Sequence, residues 1–182
     1  QVHILVNNVS DSHFFEDFGT SLAATSQRFL DRRADFYYAK PTYRIDGIVQ
    51  AYQTIDNSIL PGNEPYQRLP QVRFQGRTPQ QYFGFVPEMI ADTTYFNRDS
   101  TVSGTRVDFQ PGVTYPITTS YLDIVPKLVI ADSEYYLDDP WNTFNSHVSR
   151  TVPIFSVDSR LYVERNVELF GHDNVQTIEP RL

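Results

Sequence analysis

The chain has 182 residues, a net charge of −7 and no cysteine, with a mean hydropathy of −0.40. An acidic balance speaks against nucleic acid as partner, since phosphate binding needs a basic surface. The missing cysteines remove disulfide frameworks and cysteine metal sites, and no stretch approaches the roughly 18 apolar residues of a helical membrane span. Aromatics make up 14%, with twelve Tyr and thirteen Phe, a composition that suits strands.

Alternation predicts strands near residues 1–9, 26–38, 43–54, 67–76, 82–96, 105–115, 121–137, 149–157, 161–168 and 175–182. The clearest is 105–115, where Thr105, Val107, Phe109, Pro111, Val113 and Tyr115 alternate with Arg106, Asp108, Gln110, Gly112 and Thr114. That is a period of two, with one apolar and one polar face. Long polar connections are expected at 10–25, 55–66, 97–104 and 138–148, with a shorter one around Gly171. Tight ones are expected at 39–42, 77–79, 116–120 and 158–160. A three-residue turn at Asp158-Ser159-Arg160 would pair Val157 with Leu161 and Phe155 with Val163. Alternating long and short loops are the pattern of outer-membrane barrels.

Prolines interrupt these runs at Pro70, Pro87, Pro111, Pro126, Pro153 and Pro180. Proline cannot donate to a ladder and is normally kept to edges, strand starts and bulges. Where alternation is legible, each proline falls on the more apolar face. Bulges and locally splayed ladder bonds are both open as accommodations.

The aromatics suggest two girdles. Phe83 and Tyr95 would share a strand face twelve residues apart, about 30 Å along a membrane normal at a tilt near 40°. Tyr95, Phe96, Tyr135, Tyr136 and Trp141 would lie toward one interface, with Phe83 and Tyr115 toward the other.

Motifs for chemistry are poor. His3, His13, His147 and His172 have no metal-ligand spacing, and there is neither a nucleophile elbow nor a glycine-rich phosphate loop. Acidic neighbours such as Asp138 and Asp139, or Glu16 and Asp17, fall in predicted loops and read as solvated faces. Asp99 and Asp139 could contribute to divalent-cation sites, without any ligand geometry to support it. No enzyme, cofactor or metal centre is expected. With no initiator Met and a last residue in a strand, the chain reads as a middle piece of a longer one.

Four strings carry a resemblance. They are Val9-Ser10-Asp11-Ser12-His13-Phe14-Phe15-Glu16-Asp17-Phe18-Gly19; Gly104-Thr105-Arg106-Val107-Asp108-Phe109-Gln110-Pro111; Arg150-Thr151-Val152-Pro153-Ile154-Phe155-Ser156-Val157-Asp158 with Val163-Glu164-Arg165; and Gln176-Thr177-Ile178-Glu179-Pro180-Arg181-Leu182. In order and spacing they resemble the β-barrel domain of the LptD family of lipopolysaccharide-assembly proteins, over essentially all of 1–182. Ser159 stands where the family often has Gly.

The resemblance implies an all-β fold: an antiparallel up-and-down transmembrane β-barrel segment, about ten strands of a roughly 26-stranded barrel. It implies residence in the cell outer membrane of a Gram-negative bacterium and a role as barrel wall of the translocon that inserts lipopolysaccharide into the outer leaflet. Implied partners are an LptE-like lipoprotein plug, lipopolysaccharide, outer-membrane lipids and an LptA-like periplasmic bridge. The bridge would act through a jellyroll that, like the lateral gate, lies outside these residues. Candidate lumen-lining residues are Arg106, Asp108, Gln110, Arg150 and Glu164; general lumen hydration is the alternative. The candidate plug-contacting loop holds Phe14, Phe15, Glu16, Asp17 and Phe18, an ordinary surface loop being the alternative. A general porin or other transport barrel, or a soluble all-β binding module, are the competing readings.

Overall fold

A computed structural model describes residues 1–11, 27–141, 143–169 and 171–181. Its strands are β1 (Val2–Val6), β2 (Phe29–Ala39), β3 (Tyr43–Thr54), β4 (Gln67–Arg77), β5 (Val86–Asn97), β6 (Ser103–Thr114), β7 (Ile117–Thr118), β8 (Leu122–Asp138), β9 (His147–Leu161), β10 (Val163–Leu169) and β11 (His172–Ile178). From β1 to β9 they form one antiparallel meander, each long strand paired with its predecessor. The two-residue β7 pairs with the start of β8. The sheet is not closed. β10 and β11 form a separate hairpin, tied to β9 by an Arg160–Arg181 bridge and a bond from Leu161 N to Pro180 O.

Directly paired residues in an antiparallel ladder share a face, so the registers sort every side chain. One face collects Ile4, Phe36, Val49, Val72, Val107, Phe109, Leu128, Ile130 and Phe155. The other collects Arg33, Asp46, Gln71, Asp92, Arg106, Asp108 and Ser133. Burial is inverted relative to a soluble sheet. Thr94 is 0% exposed, Gln50 6% and Asp92 8%, whereas Phe109 is 45%, Ile130 45% and Phe155 69% exposed. A compact monomer of this mass exposes about 9,000 Å², against 12971 Å² here. A single layer with its apolar side bare has no sandwich core, and this removes the soluble-module reading in its usual two-layer form.

Pro70, Pro87, Pro126 and Pro153 fall at a bulge, a strand start, a gap between strands and the sheet's edge, Pro111 interrupts one ladder, and Pro180 lies past the end of β11. Leu69 and Pro70, joined by a cis peptide, are two residues set against one on both sides, between Arg68 and Gln71; this is a β-bulge. Pro87 lies one residue past the last β4–β5 pair, Arg77–Glu88, and its carbonyl accepts from Thr78 N at 3.4 Å. Along β8, Tyr115 N donates to Pro126 O at 3.0 Å and Leu137 N to Ser146 O at 2.7 Å. Even residues of β8 therefore bond toward β6 and odd ones toward β9. Pro126 then aims its nitrogen at the gap between β6 and β7. Pro111 aims at Ile130, where the β6–β8 ladder lapses between Phe109–Asp132 and Gly112–Val129 without losing register. Pro153, opposite Ile130 on β9, aims away from β8 at the sheet's edge. Pro87, Pro111, Pro126 and Pro153 all carry their rings on the apolar face.

Three sequence expectations are corrected. Asp158-Ser159-Arg160 is straight strand rather than a turn, because the β8–β9 register runs unbroken to Leu122–Leu161. Phe83 is not on the strand of Tyr95. It occupies, with Gly84, a two-residue hairpin turn closed by Tyr82 and Phe85 (N···O 2.8 and 2.9 Å). Both turn residues have positive φ, 53° and 86°, the signature of a primed turn, and Phe83 is 99% exposed. The loop rhythm also fails, since the connection 78–85 exceeds 98–102 in length and the one at Gly171, expected among the long class, spans only two residues between Leu169 and His172.

Two aromatic groups nevertheless flank the apolar face. At the short-turn end Tyr38, Tyr43 and Phe74 follow one another at 6.0 Å centroid spacings, and Phe85 packs on Tyr115 at 4.8 Å. At the long-loop end lie Tyr95 and Tyr136, the latter stacked on His147 at 4.8 Å. Phe85 and Tyr95, ten residues apart, stand about 25 Å apart along the normal at a 40° tilt, the height of a lipid-facing band. Phe96 and Tyr135 sit at the same end but on the polar face.

Candidate functional site

The polar face is the one built surface of the sheet. Its centre is Asp92 on β5, which accepts from Gln71 Nε2 (2.8 Å) and Thr94 Oγ1 (2.8 Å). Arg106 Nη2 stands 3.5 Å from it. The same guanidinium reaches Asp108 at 2.8 Å and lies 5.3 Å from the Phe96 ring centroid, while Asp108 accepts from Ser133 Oγ. Four strands, β4 to β6 and β8, thus contribute to one polar network, which the low local dielectric strengthens, although the buried Arg106 Nε meets Asp108 as an ion pair without a well-directed hydrogen bond.

Further pairs extend it on both sides. Arg33 binds Asp35 at 2.6 Å, Arg44 grips Asp46 with its closest contact at 2.7 Å, and Gln50 donates to Asp31 at 3.1 Å. Lys127 on β8 pairs with Glu88 on β5, crossing over Gly112 of β6. A Cβ at that glycine would come within 3.0 Å of the Glu88 side chain, so its absence makes room for the pair. Toward β9, Arg160 Nη1 donates to Tyr162 Oη (3.1 Å), which donates to Asp123 (2.9 Å).

Among the depressions on this face, two adjoin the Asp92 network. One of about 520 Å³ lies over β2–β4 between Arg33, Arg44, Ile48, Arg68 and Arg73. A smaller apolar one of about 290 Å³, between Tyr66, Phe96, Gly104, Tyr135 and Leu137, adjoins the long loops. There Arg98 covers the Tyr66 ring at 4.1 Å and Tyr66 Oη donates to Val102 O at 2.9 Å.

Arg106, Asp108, Gln110 and Arg150 share the polar face through the pairs Arg106–Tyr135, Asp108–Ser133 and Ser133–Arg150. Glu164 sits on the separate β10–β11 hairpin, opposite Thr177. Phe14, Phe15, Glu16, Asp17 and Phe18 lie outside the described residues. Sequence reading missed the Asp92 hub, the Lys127–Glu88 pair and the arginines of β4. The last are hidden by the bulge, which moves Arg68 and Arg73 onto one face although their numbers differ in parity.

Asp139 does not offer itself to a cation. Its carboxylate accepts from Thr143 Oγ1 at 2.7 Å and from the backbone N–H groups of Trp141, Thr143 and Phe144. The Thr143 hydroxyl, then the backbone donors, hold it well below the usual range, at about 2. Its lone pairs are spent on closing the loop. Among the described residues no three His, Asp or Glu side chains converge on a metal position. His3 stands 3.7 Å from Asp35 and His147 3.9 Å from Glu134.

The profile of the family described as LptD, LPS transport system D, matches residues 1–182. The chain is 38% identical over 178 residues to the LPS-assembly protein LptD of Nitrosococcus oceani, covering 97% of this chain and 24% of that protein. It is 35% identical over 181 residues to the LptD of Chromobacterium violaceum, covering 97% and 23%. Against the LptD of Hahella chejuensis it is 32% identical over 185 residues, again covering 97% and 23%. The chain spans about a quarter of the length of these curated relatives. A match that runs through every strand of a two-faced antiparallel sheet places the chain in the LptD family.

Proposed function

We propose that residues 1–182 are a stretch of outer-membrane barrel wall in a lipopolysaccharide translocon. The observation that carries this reading is the inverted sheet: one layer, with an apolar face between aromatic rows and a hydrogen-bonded polar face behind it. In a bilayer the first faces lipid and the second faces the lumen. Arg106, Asp108, Gln110 and Arg150 then line a hydrated lumen, and the wall works by lining rather than by catalysis. The full-length protein closes the barrel with further strands, receives lipopolysaccharide from an LptA-like bridge through a periplasmic jellyroll, and holds an LptE-like lipoprotein in its lumen. The loop containing Phe14, Phe15 and Phe18 contacts that plug.

The test is depletion of the full-length protein in its own cells while following newly made lipopolysaccharide to the surface. Arrival should stop, and full-length protein supplied in trans should restore it. Undiminished arrival, with uptake of small polar solutes falling instead, would support a diffusion porin and overturn the proposal.

A further inference from the structure

Among the described residues most cations of the polar face lie in salt bridges; Arg150 and Arg160 of β9 do not, and the other exceptions gather on a single strand. Beyond the Leu69-Pro70 bulge, β4 presents Arg68, Gln71, Arg73, Gln75 and Arg77 to this face, with no carboxylate among them. Acids do lie directly opposite: Asp46 and Asp92 flank Arg73, and Glu88 faces Arg77. Each is engaged elsewhere. Asp46 is gripped by Arg44 on its own strand, Asp92 takes Gln71, Thr94 and Arg106, and Glu88 takes Lys127.

Among the described residues, Arg68, Arg73 and Arg77 therefore have no carboxylate partner. Arg68 has a 3.4 Å contact with Gln71 Oε1. With its amide set by its donors, Gln75 Oε1 accepts from Arg73 Nε and Nη2 at 2.9 and 3.1 Å, which holds the guanidinium in place without neutralising it. Arg73 and Arg77 are exposed. Arg68 and Arg73 open into the 520 Å³ depression, where four guanidinium groups meet two carboxylates. In a chain of net charge −7 this local surplus stands out, and it runs along about 30 Å of strand.

We propose that β4 carries a docking strip for anionic groups, centred on Arg73, that takes a phosphate or carboxylate borne on a saccharide. It rests on the transport reading above and adds a defined stop to it. Planar guanidinium forks match both anions in bidentate fashion and, unlike ammonium groups, stay charged at every accessible pH. Spacing by neutral glutamines leaves each guanidinium's charge uncancelled, so a multiply charged saccharide can pass from one to the next. Neighbouring sites weak enough to leave are what conduction along a lumen requires.

The experiment uses the full-length protein in cells. A photo-crosslinking residue replaces Ile48, which lines the depression, and in a second strain Gln110, which shares the polar face but lies away from the strip. The expected result is a lipopolysaccharide adduct at both positions. R73Q/R77Q should lower the adduct at position 48 about tenfold, from loss of charge-assisted bonds, while sparing the one at 110. The spared adduct shows an intact barrel, and R73K should retain part of the signal at 48. In cells whose lipopolysaccharide lacks phosphate, a matching tenfold drop identifies phosphate as the anion, and an undiminished signal identifies carboxylate. An adduct at 48 that ignores R73Q/R77Q overturns the strip and leaves the transport reading standing. No adduct at either position in the otherwise unsubstituted protein overturns the transport reading, and the strip with it.

Discussion

Replacing Pro111 by Val should tighten the sheet at one identifiable bond. The β6–β8 ladder lapses between Phe109–Asp132 and Gly112–Val129 without slipping, so the Ile130 carbonyl faces a nitrogen that has no hydrogen. Valine supplies the donor in the register already present and keeps the face apolar. One restored ladder bond is worth about 1 kcal/mol net in water and several where water cannot compete. Against this, the looser unfolded chain gives back about 0.4–1 kcal/mol. A net gain of about 1–3 kcal/mol corresponds to roughly ten- to hundredfold slower local opening, at about 1.4 kcal/mol per decade. The assay is hydrogen–deuterium exchange of the full-length protein in lipid, followed in peptides covering 105–113 and 127–133. Val113→Pro is the reciprocal change, because Val113 pairs with Leu128 in the same orientation; it should speed exchange in those peptides. Exchange unmoved by P111V and V113P alike would refute the ladder assignment.

Phe109 lies near the middle of β6 on the apolar face, about 13–15 Å from either strand end along the normal at a 40° tilt. F109R should therefore cost about 2–4 kcal/mol and Q110R, one residue away on the polar face, under about 1 kcal/mol, both read from denaturant unfolding in vesicles. The 139–144 loop should depend on pH through Asp139, whose folded-state value of about 2 lies below the ordinary carboxylate value near 3.9. A depressed value means that the stabilisation is complete above the unfolded value and is lost as pH falls through about 2. Fluorine labelling of Trp141, whose backbone N–H donates to Asp139 at 3.0 Å, should report loop opening between pH 4 and 2, and D139N should abolish that titration.

Much of the sheet was legible because period-two alternation survives wherever one face is apolar. The strand at 43–54 was placed as observed and 105–115 within two residues. Two physical causes hid the rest. At Leu69-Pro70 a bulge changes the parity of β4, so a strict alternation count separates Arg68 from Arg73 although the fold unites them. At 158–160 local turn chemistry pointed to a hairpin, but continued pairing across the sheet, Asp123 with Arg160 and Leu122 with Leu161, prevails over it. Phe83 was misplaced for the opposite reason: an apolar residue in an apolar run turned out to be the corner of a primed turn, made possible by Gly84. The polar network was only half legible. Arg106 and Asp108 announce themselves by alternation, whereas the convergence of Gln71, Asp92 and Thr94 on them depends on registers that no single strand reveals.

The two-faced wall is the claim on which the rest depends, and a spin-label scan of residues 105–113 in the full-length protein, reconstituted in lipid, tests it most directly. Accessibility to oxygen should peak at 105, 107, 109 and 113, and accessibility to a water-soluble nickel chelate at 106, 108 and 110. Loss of alternation, or alternation in the opposite phase, would contradict the assignment of the apolar face to lipid and the polar face to the lumen.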